Sequence, residues 1–167
     1  MPIADLRTLP DGSEIFIDSN VFVYALSGRS PQCRSLLQKV SIGEIIGVTS
    51  YHVLGEVTHK LMLAEHLASG GSPAGARKYL EAHPEVVRAL THYWTAIERI
   101  LAMNILFVPV DEATIRTAQA IRMQSGLLNN DSLIAATMMR LGLTNIASND
   151  QDFASVAGFS IFKPTDA

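Results

Sequence analysis

Four acidic side chains stand where a parallel sheet could gather them. Asp18 directly follows the apolar run Ile15-Phe16-Ile17. Asp150 comes two polar residues after Asn145-Ile146-Ala147, with Asp152 close behind it. Glu56 lies near the start of a helical stretch that opens at Ser50, and Asp131 lies in the first turn of another. Carboxylates brought together repel and raise one another's pKa, and cations relieve that repulsion. Magnesium and manganese prefer oxygen ligands, so carboxylates and water suit them. A pair of such ions, about 4 Å apart, can activate a water and stabilise the leaving oxygen of a phosphodiester. That chemistry needs no nucleophile from the protein.

Each acid alone has an ordinary alternative. Asp18 could simply cap the next helix. Glu56 could pair on a solvated face with Lys60 at i+4. Asp131 could serve the helix dipole, and Asp150 and Asp152 could form a turn. The case for a site therefore rests on where the elements place the set.

Residues 1–14 read as a polar lead-in. Glu14 to Asp18 reads as a buried first strand, followed by a short helix from Val21 to Leu26 and another from Pro31 to Ser41. Ile45 to Thr49 is the second expected strand, and a helix with an apolar stripe of Leu54, Val57, Leu61 and Ala64 runs from Tyr51 to about Leu67. Further helices are expected at 74–83 and from Pro84 to about Met103, the latter burying Trp94. Ile105–Val108 is a third strand. Helices at Asp111–Gln124 and from Asn129 to Leu141 precede a fourth strand, Thr144–Ala147, and Ser160–Phe162 reads as a short edge strand. Alternation of this kind implies a largely parallel sheet covered on both faces, with sites beyond the carboxyl ends of the strands.

Composition narrows the function. The 167 residues suffice for one well-filled core, so a single domain over 1–167 is expected. Charged residues make up 17%, and the mean hydropathy is +0.22. That leaves apolar surface for a partner. A net charge of −3 excludes a nonspecific nucleic-acid coat, which needs a broad positive field. It is compatible with a nuclease whose own site is acidic. The one cysteine, Cys33, permits no internal disulfide and reads as a small buried hydrophobe. No signal-peptide pattern opens the chain, and no segment reaches the ~20 apolar residues of a membrane span, so a cytoplasmic location is expected.

The motifs resemble the PIN-domain family, metal-dependent nucleases that include the VapC-type toxins of toxin–antitoxin pairs. Ile15-Phe16-Ile17-Asp18-Ser19-Asn20-Val21 resembles the family's opening strand and first acid. Val53-Leu54-Gly55-Glu56-Val57 carries the second acid, Asn130-Asp131-Ser132-Leu133-Ile134-Ala135-Ala136 the third, and Ser148-Asn149-Asp150-Gln151-Asp152-Phe153 the fourth. The resemblance implies a three-layer α/β/α sandwich with a mainly parallel sheet of four to five strands. It implies that Asp18, Glu56, Asp131 and Asp150 are the catalytic, metal-site acids for Mg²⁺ or Mn²⁺. Ser19, Asn20 and Ser148 fall at positions of supporting polar groups, and Asp152 at that of a more structural acid. It further implies an RNA substrate, a homodimer and inhibition by a small antitoxin protein. The segment from about 67 to 103 is longer than in the smallest toxins. Open alternatives are an inactive interaction module, a metal-dependent DNA nuclease or a phosphatase.

Other residues carry less. His52, Glu56 and His59 share a helix face, but the H-E-x-x-H zinc pattern is absent. Arg77, Lys78, Arg88, His92 and Arg99, and separately Arg29, Arg34 and Lys39, could meet phosphates or form solvated faces. Met138 and Met139 read as packing. No phosphate-binding glycine loop is present, and neither Ser50 nor Ser148 has a convincing His partner.

Overall fold

The computed structural model describes residues 3–167. Six strands form one sheet: β1 (Ile3–Asp5), β2 (Glu14–Ile17), β3 (Ile46–Ser50), β4 (Ile105–Val108), β5 (Asn145–Ala147) and β6 (Ser160–Lys163). Their order across the sheet is β1-β6-β5-β2-β3-β4, and every pairing is parallel. Eight α-helices connect them: α1 (Ser19–Leu26), α2 (Pro31–Ser41), α3 (Tyr51–Ala68), α4 (Ala76–Ala82), α5 (Pro84–Ala89), α6 (His92–Leu101), α7 (Glu112–Ser125) and α8 (Asn129–Leu141). The result is the three-layer α/β/α sandwich that the motifs imply.

Handedness decides which helix covers which face. From β2 the chain steps outward to β3 and then to β4; from β4 it returns across the sheet to β5 and continues to β6. Parallel crossovers are right-handed, so reversing the direction of travel moves the connection to the other face. Helices α1 to α6 therefore lie on one side and α7 and α8 on the other, and α7 packs along α8. The order reverses between β2 and β5. That switch point leaves a crevice beyond the strands' carboxyl ends.

The sheet's middle is dry. Ile15, Phe16, Ile17, Ile146, Ala147 and Ile161 are fully or almost fully buried, against Val21, Phe22, Val40 and Val53 on one side and Ile134, Ala135 and Met138 of α8. Gly47 in β3 lets α2 approach the sheet: a Cβ there would stand 2.7 Å from Val40 Cγ1. Cys33 is buried among the same apolar residues, as its surroundings in sequence suggest.

Five expectations need correction. Ile3–Asp5, placed in the polar lead-in, is a sixth strand; it is too short for alternation to show and is held by pairing Ile3 with Ile161. The first two residues of that lead-in lie outside the described ones. Strand β6 is consequently internal, lying between β5 and β1, and not an edge. The helix expected from Pro84 to Met103 is two, because Leu90 is extended and α6 restarts at His92. Glu65, reaching across from α3, accepts the backbone N–H groups of Thr91, His92 and Tyr93 at 2.8–3.0 Å and so fixes where α6 begins. This break turns α6 so that Ile97 and Ile100 face inward, leaving Trp94 50% exposed. Likewise only Met138 packs inside; Met139 is 44% exposed.

Candidate metal centre

Strands β2 and β5 lie side by side, with Ile17 opposite Ala147. Whatever follows Ile17 must then lie beside whatever follows Ala147. Asp18 follows the first and caps α1; Ser148 to Asp152 follow the second. Asp18 is only 6% exposed. Its Oδ1 accepts from the backbone N–H of Ser19 at 2.6 Å. Its Oδ2 accepts from Asn20 Nδ2 at 2.6 Å and from the Ser148 hydroxyl at 2.7 Å. These three donors hold the carboxylate in one orientation, while Oδ1 keeps capacity for a further partner. Burial pushes the Asp18 carboxyl up. The Ser148 and Ser19 bonds oppose that, the Glu56 charge adds to it, and Lys60 opposes it; the net shift is upward.

The turn after β5 is knotted to α1 by the same side chains. Ser148 Oγ accepts from the Asp150 backbone N–H at 2.9 Å, and Asn20 Oδ1 from the Asn149 N–H at 3.0 Å. Asp150 Oδ1 accepts from the Asp152 N–H at 2.9 Å. Ser19, Asn20 and Ser148, picked out as supporting positions, thus all lie in the hydrogen-bond shell of Asp18 or its turn.

Asp131 reaches the crevice from the other layer. The end of α7 and the start of α8 are tied by Arg122, which donates to Ser132 Oγ at 2.9 Å and to Asn129 Oδ1 at 3.1 Å. This fixes the first turn of α8, where Asp131 stands. One carboxylate oxygen each from Asp131, Asp150 and Asp152 lies within 4.8 Å of the others. Burial first, and then the charges of Asp150, Asp18, Asp152 and Glu56, push the Asp131 carboxyl up to about 6. The charges of four other acids thus act on Asp131. Three convergent, half-buried or exposed carboxylates suit a hard divalent cation, and the donor set contains no histidine or thiolate.

Glu56, from the second turn of α3, lies outside that trio but near enough for its charge to act on Asp18 and Asp131. It forms an ion pair with Lys60 at 2.6 Å, and Asn130 Nδ2 stands 3.5 Å from its other oxygen. His52 turns to Asn130 Oδ1 at 3.1 Å, and His59 is exposed, so the helix-face histidines do not join the acids. Sequence reasoning gave Asp152 a structural place; the fold sets its carboxylate within ligand reach of Asp131 and Asp150. It also saw Lys60 only as a helix-surface partner. The fold turns Lys60 inward, where its Nζ donates to Ser19 Oγ at 2.9 Å.

A doubly wound sheet with acids at its switch point defines an α/β protein with a candidate metal centre. Residues 15–159 match the PIN domain family, and the chain belongs to that family. Ribonuclease VapC2 of Methanocaldococcus jannaschii is 28% identical over 155 residues, covering 90% of this chain and 93% of that protein. Among solved structures, the VapBC2 complex of Rickettsia felis bound to a promoter DNA fragment has a similar fold: TM-score 0.60, 15% identity, covering 90% of this chain and 98% of its counterpart. VapC20 of Mycobacterium tuberculosis, a sarcin–ricin-loop-cleaving toxin, matches at TM-score 0.54 and 22% identity, covering 87% and 95% of the two chains. Among the described residues, no helix is long and apolar enough to cross a membrane.

Proposed function

We propose that this protein is a metal-dependent endoribonuclease and the toxin of a toxin–antitoxin pair. The observation that carries the reading is the trio Asp131, Asp150 and Asp152, one carboxylate oxygen of each within 4.8 Å of the others, with Asp18 and Glu56 near enough for their charges to help push the Asp131 carboxyl up to about 6. A structural turn or helix cap has no use for such a concentration of like charge. A nuclease that must hold Mg²⁺ or Mn²⁺ does. A bound divalent ion supplies the positive charge and Lewis acidity that phosphodiester hydrolysis requires.

The chain's own residues do the rest. Asp18, Glu56, Asp131 and Asp150 are the catalytic acids, and geometry adds Asp152 to those that would hold the ion. Ser19, Asn20 and Ser148 keep the Asp18 carboxylate from rotating, so its charge is set before substrate arrives. RNA as substrate is supported by the likeness to a named ribonuclease and to a toxin that cleaves the sarcin–ricin loop. A small protein antitoxin is supported by relatives solved as toxin–antitoxin complexes. We further propose that the chain acts as a single domain, as a homodimer, in the cytoplasm.

Purified protein is expected to cleave RNA in Mg²⁺ or Mn²⁺ and to stop in EDTA. Asp18→Asn keeps the shape of the carboxylate but loses its charge; it is expected to remove nearly all activity with an unchanged circular dichroism spectrum. A panel of tRNA, ribosomal RNA, single-stranded RNA and single-stranded DNA separates ribonuclease from DNA nuclease. Cleavage that persists in both Asp18→Asn and Asp131→Asn refutes the assignment.

A further inference from the structure

The five acids differ in how their charge is met. Asp18, Asp131, Asp150 and Asp152 have no ion-pair partner among the described residues. Glu56 has one, in Lys60 at 2.6 Å. An ordinary Glu–Lys pair four residues apart on a helix lies along the helix surface in water. This one does not stop there. The same Nζ donates at 2.9 Å to the hydroxyl of Ser19, a buried residue on a different helix and the immediate neighbour of Asp18. The Lys60 charge also acts on Asp18 itself, against that of Glu56. Lys60, its side chain 40% exposed, thus stands at the rim of the acidic crevice, bridging α3 and α1.

The site therefore has two halves. One is an open trio of carboxylates within ligand reach of one another. The other is Glu56, paired with Lys60, beside the buried Asp18 on which the Lys60 charge acts more weakly. We propose that Lys60 takes the place of a second metal ion: the centre holds one divalent ion, on the Asp131–Asp150–Asp152 side, and Lys60 supplies the second positive charge. This rests on the metal-centre reading given above and specifies the number of ions. An ammonium has three donors and no acceptor. Two are taken by Glu56 and Ser19, leaving one for an anionic oxygen of a phosphodiester. It cannot act as a Lewis acid; chemistry of that kind would be supplied by the ion that Asp131, Asp150 and Asp152 would hold. Lys60 is in this sense a charge-compensating and substrate-orienting residue, and the Asp18 carboxylate is shared by the fields of both cations.

The test is a count of bound Mn²⁺, read from the loss of the free-ion electron paramagnetic resonance signal on titration at pH 7.5, without RNA. The wild-type protein is expected to bind one ion. Lys60→Met removes the resident charge and releases Glu56 and Asp18, so the count should rise to two, with the first ion bound no more weakly than before. Lys60→Arg keeps the charge and should stay at one. Retention of the first site in Lys60→Met itself reports that the variant is folded; Lys60→Gln, expected to give the same count, is the second variant should Met misfold. Two ions in the wild type, or one in both neutral variants, overturns the proposal while leaving the metal-centre reading intact. No ion bound to the wild type overturns both.

Discussion

Replacing Asp131 by asparagine removes a charge that the folded chain holds at a cost. Burial and four neighbouring acids move its carboxyl from 3.8 to about 6. Between those two values the folded state binds a proton that the unfolded state does not. Stability therefore falls as pH rises from 3.8 to about 6 and levels off above that. Integrated over this window, ionised Asp131 costs the metal-free fold at most about 3 kcal/mol at pH 7.5, and less once solvent screening of a half-buried group is counted. Loss of a first-turn acid from α8 takes back about 0.3–1 kcal/mol through the helix dipole. In EDTA at pH 7.5, Asp131→Asn is thus expected to be up to about 2 kcal/mol more stable than wild type, although it cannot cleave. At pH 4.5, where folded Asp131 is already mostly protonated, its cost is only about 1 kcal/mol, so the gain from the substitution is smaller there. Manganese reverses the order, because an ion bound only to the native wild type adds about 2.7 kcal/mol at a hundredfold excess over its Kd. Urea unfolding followed by circular dichroism, at both pH values and with and without Mn²⁺, measures all four quantities. A variant less stable than wild type in EDTA at pH 7.5, or a difference that ignores pH, refutes the reasoning.

Two other outcomes are expected. Asp152→Asn should weaken Mn²⁺ binding as clearly as Asp150→Asn, since both carboxylates lie within reach of Asp131; calorimetric titration of each checks this, and an Asp152 variant with wild-type affinity returns that residue to a turn-forming role. For Glu65, burial alone would raise the carboxyl, but the N–H groups of Thr91, Tyr93 and His92 hold it at about 2, below its usual 4.5. Its side chain is 13% exposed, so the contribution to stability is at most about 3 kcal/mol, present above pH 4.5 and lost as pH falls toward 2. Glu65→Gln should lower the urea midpoint at pH 7 and flatten the acid limb of the stability profile, and an unchanged limb counts against the capping role.

The parts of this fold written in short stretches of sequence were readable. Ile15-Phe16-Ile17 ending in Asp18, and the apolar stretch before Asp150, announce strands whose exits carry acids, and a parallel sheet leaves those exits on one edge. What resisted reading was set by residues distant in the chain. β1 is a strand because of β6, some 150 residues later. The restart at His92 is set by Glu65, and with it the outward turn of Trp94; no local signal at Leu90-Thr91 marks it. Lys60 looked like half of a surface pair because its second partner, Ser19, belongs to another helix. Asp152 looked like a turn residue because only the approach of α8 gives its carboxylate two neighbours.

The hydrogen bond from Ser148 to Asp18 spans 130 residues of chain. Its consequence lies in the order of synthesis. A growing chain presents Asp18 first, then Glu56 with Lys60, then Asp131, and each emerges before β5 exists to stand beside β2. Until residues 145–152 follow, Asp18 lacks its serine donor and Asp131 lacks both carboxylates of its trio. An enzyme of the proposed kind, made by a machine built of RNA, would therefore stay inert on that machine at least until β5 has emerged and joined β2.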